Sequence, residues 1–155
     1  MKKAIYFAAP LFTQAERFWN IKLAETIMRK SNNFIIILPQ KECDQTMFDT
    51  EINFNTIFNL CIEGIDKCEI ILAILDGADS ESGTCFECGY GFAKNKRLIG
   101  VRTDIRKGED QGLNAMLSQS CELIRFDGTK DSEGDIDRLA EIITNKIINQ
   151  QFFIT

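Results

Sequence analysis

The densest chemistry in the chain lies in one segment, Asp76-Gly-Ala-Asp-Ser-Glu-Ser-Gly-Thr-Cys-Phe-Glu-Cys-Gly-Tyr90. It leaves an apolar run, Glu69 to Leu75, and enters a helical pattern expected over about Gly83 to Asn95. Glu87 is expected in the first turn of that helix. The helix dipole there favours an ionised carboxylate, the state a nucleophile needs. Ser82, Gly83 and Thr84 place small residues and free backbone N–H groups at the helix start, a cradle for a phosphate or a sugar hydroxyl. The segment lacks the Gly-Lys-Ser/Thr ending of a Walker loop. Thr84 and Glu87 also spell a T-x-x-E capping box, so these residues alone leave Glu87 open between a helix cap and a nucleophile. Asp76, Asp79 and Glu81 equally read as solvated loop residues, and Gly77 as a turn residue. Cys85-x-x-Cys88 has the spacing of a redox pair, but the only prolines, Pro10 and Pro39, both precede it. A second pair of close ligands for zinc is missing too, so no metal and no cofactor is expected.

The rest of the composition narrows the chemistry. The 155 residues include no histidine, which removes Ser-His and Cys-His catalysis and leaves acid–base work mainly to carboxylates. A net charge of −5 and a pI near 4.8, with no Lys/Arg cluster, argue against a nucleic-acid partner. The apolar runs Phe34 to Leu38 and Ile70 to Leu75 fall far short of the ~20 residues a spanning helix needs, so no membrane partner is expected. Met1-Lys2-Lys3 precedes an apolar run too short for a signal peptide, and a cytoplasmic location is expected. The six cysteines, Cys43, Cys61, Cys68, Cys85, Cys88 and Cys121, lie scattered through apolar runs and read as reduced thiols.

The elements that must position this segment alternate. Strands are expected over Ala4 to Ala8, Phe34 to Leu38, Glu69 to Leu75, Arg97 to Arg102 and Glu122 to Phe126. A first helix starts at a Thr13/Glu16 capping box and runs to about Arg29. Others are expected from Ile52 through Ile65, over Leu113 to Ser118, and along the face set by Ile136, Leu139, Ala140, Ile143 and Ile147. Lys41 to Thr50 and Thr103 to Gly112 read as polar loops. The alternation predicts one α/β domain over 1–155, a parallel sheet with helices on both faces. Ligands of such sheets bind beyond the carboxyl ends of the strands.

Three blocks resemble the nucleoside 2-deoxyribosyltransferase family. Ile5-Tyr-Phe-Ala-Ala-Pro-Leu-Phe-Thr13 is similar to its N-terminal strand and loop. Leu75 to Lys96 is similar to its D-S-G-T-x-x-E-x-G-Y-A signature, and Gly112-Leu-Asn-Ala-Met116 to its N-x-M segment. The resemblance implies a flavodoxin-like doubly wound sheet of about five parallel strands. It implies that Glu87 attacks C1′ of a 2′-deoxynucleoside and that a second base, or water, resolves the covalent intermediate. Tyr6 matches the tyrosine that positions this carboxylate. Phe12 and Gln40 match residues near the base, Glu81 stands where members hold the sugar, and Ser82 and Gly83 belong to the loop that monophosphate-cleaving relatives use for the phosphate. Asn114 and Met116 match residues lent by a neighbouring subunit, so a homo-oligomer is implied. The partners implied are a small nucleoside or nucleotide and a nucleobase, as in nucleotide salvage.

Three positions depart from the family pattern. Glu81 and Cys61 stand where members tend to carry aspartate, and Ala9 where they carry glycine. A thiol is a poor proton donor to a base nitrogen, so protonation of the leaving base is assigned to Glu81, Asp44 or water. Competing functions are a deoxynucleoside 5′-monophosphate N-glycosidase, with phosphate on Ser82-Gly83-Thr84, and a nucleotide-binding module without catalysis.

Overall fold

The computed structural model describes residues 2–43, 53–107, 112–128 and 133–149. Strand β1 (Lys3–Ala8) leads to helix α1 (Gln14–Lys30), then β2 (Phe34–Ile37) and a short α2 (Pro39–Glu42). Helix α3 (Phe54–Lys67), β3 (Ile70–Ile74) and α4 (Ser82–Ala93) form the middle of the chain. Strand β4 (Arg97–Arg102), α5 (Ala115–Ser120), β5 (Glu122–Arg125) and α6 (Glu133–Ile148) complete it. The strands form one parallel sheet in the order β2-β1-β3-β4-β5, the flavodoxin-like order expected.

Alternation along β1 sorts its side chains between two cores. Ile5 and Phe7 join Leu23 and Ile27 of α1 and Leu139 and Ile143 of α6 on one face. Tyr6 and Ala8 join Ile65 of α3, Cys88 of α4 and Leu113 on the other. The five residues of β3 are all buried, because helices cover both faces and leave no wet side for alternation. Gly91 lets α4 lie close to β3: a methyl group there would collide with the Cδ1 of Ile71.

Helix α1 starts as its sequence predicts. The Thr13 hydroxyl accepts from the Glu16 amide at 3.2 Å, and the Glu16 carboxylate accepts from the Thr13 amide at 2.7 Å. Three readings are corrected. Pro39 ends β2 but opens α2 rather than a loop, since a proline suits the first helical position. The Thr84/Glu87 capping box, one of two readings open for Glu87, does not form: α4 begins at Ser82 and Glu81 is its N-cap. Helix α5 starts at Ala115 with Asn114 as N-cap, two residues later than expected. The loop reading over 44–50, the helix start at Ile52, Asp44 and the loop over 108–111 lie outside the described residues.

Candidate active site

Glu87 lies in the second turn of α4, one turn deeper than expected, where the dipole of the helix end has largely faded. Its environment is set instead by the strand and helix it faces. The Tyr6 hydroxyl of β1 donates to Glu87 Oε1 at 2.6 Å. Cys61 of α3 lies within hydrogen-bonding reach of Tyr6, Glu87 and Cys43, the last at the end of α2. Burial pushes the Glu87 carboxyl up to about 7, and the charge of Glu81 adds to this. The Tyr6 and Cys61 hydrogen bonds oppose it by favouring the ionised form. Burial, with the nearby Glu87 charge, holds the Tyr6 phenol far above its usual range, so it stays protonated and donates. Burial likewise raises the Cys61 thiol and takes Cys43 up to about 12. The result is one carboxyl poised near neutrality with neutral donors around it, an arrangement suited to a carboxylate nucleophile.

Glu81 is treated in the opposite way. Oε1 accepts from the Gly83 amide at 2.8 Å and the Ser82 hydroxyl at 3.2 Å; Oε2 accepts from the Thr84 amide at 2.8 Å and its hydroxyl at 3.1 Å. Partial burial raises its carboxyl, but these bonds outweigh it and leave the value below the usual one. Four donors fill a carboxylate's acceptor sites. The backbone cradle expected for a ligand anion is therefore occupied by the chain's own carboxylate, ionised and poorly placed to give up a proton.

The remaining candidates are dispersed. Phe12 is 66% exposed on the β1–α1 loop, where its amide donates to Glu16. Gln40 is buried, and both ends of its amide are engaged: Asn20 donates to its oxygen and its nitrogen donates to the Arg17 carbonyl. Asn114 accepts from the Met116 amide. Asn114 and Met116 (80% exposed) line a groove of about 870 Å³ with Leu113, Cys85, Gly89 and Phe92. Neither Glu87 nor Tyr6 lines that groove. At about 100° per residue, Glu87 projects from the other side of α4 than Cys85 and Gly89. A smaller cleft of about 360 Å³ opens between Pro10, Trp19, Asp76 and Thr103, again without Glu87. The part-buried Tyr6–Glu87 pair therefore lies apart from both open volumes. Among the described residues no cluster of His, Cys, Asp or Glu is arranged to hold a metal, and no helix is long and apolar enough to cross a membrane.

Sequence reasoning missed Cys43 and Gly64. Gly64, a lone glycine inside a helical pattern, was a usable signal of close packing; Cys43 offered none.

Fold and site together define a flavodoxin-like α/β protein that keeps a half-buried, phenol-bonded glutamate on the helix after its central strand. The family model for nucleoside 2-deoxyribosyltransferase matches residues 5–117, and the chain belongs to that family. No curated protein sequence matches it. Among solved structures, a conserved protein from Enterococcus faecalis V583 is similar at 23% identity and a TM-score of 0.75, covering 94% of this chain and 99% of the other. A 2-deoxyribosyltransferase from Bacillus psychrosaccharolyticus is 20% identical with a TM-score of 0.62, covering 86% and 90%. The Clostridium botulinum CMP N-glycosidase is 15% identical with a TM-score of 0.62, covering 91% and 99%. At these identities the three structures establish a shared fold.

Proposed function

We propose that the protein cleaves the N-glycosidic bond of a 2′-deoxynucleoside and transfers the deoxyribosyl group to another nucleobase. The observation that carries this reading is the 2.6 Å bond from a buried Tyr6 to a half-buried Glu87. Tyr6 holds Oε1, so Oε2 is the attacking atom. It forms a bond to C1′ as the bond from C1′ to the base nitrogen breaks. The electron pair leaves with the base, which takes a proton from water. A nitrogen of the incoming base then attacks C1′ as the C1′–Oε2 bond breaks, gives its proton to the hydroxide left by the first step and returns Glu87 as carboxylate, so the configuration is retained.

The state of Glu81 favours nucleosides over 5′-monophosphates. Its charge occupies the Gly83 and Thr84 amides, where a phosphate would otherwise sit, and would repel one. Hydrolysis of monophosphates, with water as acceptor, is the second reading. In either, Phe12 flanks the base, Gln40 acts only by holding the loop near it, and a second copy of the chain supplies Asn114 and Met116. Their separation from Glu87 within one chain supports a shared site.

The test is chromatography of protein incubated with 2′-deoxyinosine and adenine, and separately with each deoxynucleoside monophosphate, beside Glu87→Ala. Deoxyadenosine that vanishes in the variant is the expected outcome. Free base from monophosphates alone would replace transfer by hydrolysis. No product dependent on Glu87 would leave a binding module.

A further inference from the structure

Tyr6 owes its position to a residue that touches no substrate in this scheme. Cys61 and Gly64 lie one turn apart on the face of α3 that meets β1. A methyl group built on Gly64 would stand 2.8 Å from Tyr6 Cε2, 3.0 Å from Cδ2 and 3.3 Å from the Cγ2 of Ile37. Carbon atoms settle at about 3.5–4.0 Å, so the ring would have to move. It has little room: Tyr6 is 1% exposed and packs in one core with Ile65, Ile71 and Cys88. The ring therefore rests on bare helix backbone, and its hydroxyl reaches Glu87 from that seat.

We propose that Gly64 is a positioning residue for Glu87, its missing side chain setting where the Tyr6 hydroxyl meets the carboxylate. The proposal needs the nucleophile reading only for its effect on rate. The titratable groups around Glu87 are Tyr6 from β1, Cys61 from α3, Cys43 behind it at the C-cap of α2, and Glu81 and Cys88 at the N-cap and in the body of α4. Of these, Tyr6 is the one that a side chain at position 64 would displace. Because its hydrogen bond favours the ionised form, moving it away raises the titration midpoint of Glu87.

The experiment follows the carboxyl carbon of Glu87 by NMR in glutamate-labelled protein, assigned by its loss in Glu87→Gln. It compares wild type, Gly64→Ala, Tyr6→Phe and the double variant, with kcat, KM and thermal unfolding beside it. Gly64→Ala should raise the midpoint in the same direction as Tyr6→Phe, and the double variant should shift it no further than Tyr6→Phe. Turnover should fall about ten- to a hundredfold in Gly64→Ala with KM held, as expected when a hydrogen bond to a charged group is lost. A lower unfolding temperature with an unmoved midpoint, or additive shifts in the double variant, would overturn the proposal. If Gly64→Ala does not fold, it is combined with Tyr6→Leu, which removes the ring the methyl would meet. Recovery of folding supports the steric premise, and continued failure overturns it. The NMR titration needs no substrate, so an inactive protein with the expected shifts would refute the proposed reaction and leave the positioning role standing.

Discussion

Two glutamates of helix α4 are put in opposite states by their surroundings. Glu81, at the N-cap, collects four donors from its own helix start and remains charged. Glu87, in the second turn, leaves that start behind and meets β1 and α3, where burial outweighs two neutral donors and lifts its carboxyl to about 7. Same side chain, same helix: what differs is whether the partners are backbone amides of a helix end or side chains of a packed core. The first makes a cap, the second a carboxyl poised near neutrality, the state the proposed reaction uses.

The contrast can be broken hardest at Glu87. Glu87→Ala should lower base release by at least about 10³-fold, the scale of removing a nucleophile; full turnover in a chromatographic assay would refute the assignment. The same residue should mark stability. Between the ordinary value of 4.5 and about 7, the folded chain holds a proton that the unfolded chain has lost, so stability falls as pH rises through that window. Glu87→Gln should lack this slope and gain up to about 3 kcal/mol over wild type above pH ~8, read by urea unfolding at several pH values. Tyr6→Phe should cost about ten- to a hundredfold in kcat. It should also move the acidic limb of the rate profile upward, because the lost bond had favoured the ionised carboxylate. The smallest effect belongs to Glu81. Glu81→Gln should cost about 1 kcal/mol of stability as a weakened cap, or ~2–4 °C in the unfolding midpoint, with turnover little changed. A large loss of turnover there would give Glu81 a part in the chemistry and dissolve the contrast.

The sheet was legible because buried parallel strands spell continuous apolar runs, as in Ile70–Ile74, and because Thr13 with Glu16 is a strong start signal. Glu87 stood out as a carboxylate in a histidine-free chain, with the family resemblance to single it out from its neighbours. Its true neighbours were not legible. A T-x-x-E pattern at Thr84 hid the cap at Glu81, a residue type that caps helices less often than Ser, Thr, Asp or Asn. The contact of Cys61 with Tyr6, and the seat Gly64 makes for the ring, exist only once α3 lies across β1.

The Tyr6–Glu87 bond joins residues 81 positions apart in the chain. Tyr6 sits on the strand that pairs with both β2 and β3, while Glu87 lies beyond β3. A contact of such long range forms only after slow, non-local strand pairing has been completed. A nascent or clipped chain that lacks β3 and α4 holds an ordinary tyrosine and no glutamate to meet it. The proposed glycosidic chemistry would thereby be withheld from every partly made form of the protein, and the titration of Glu87 becomes a reporter of finished folding.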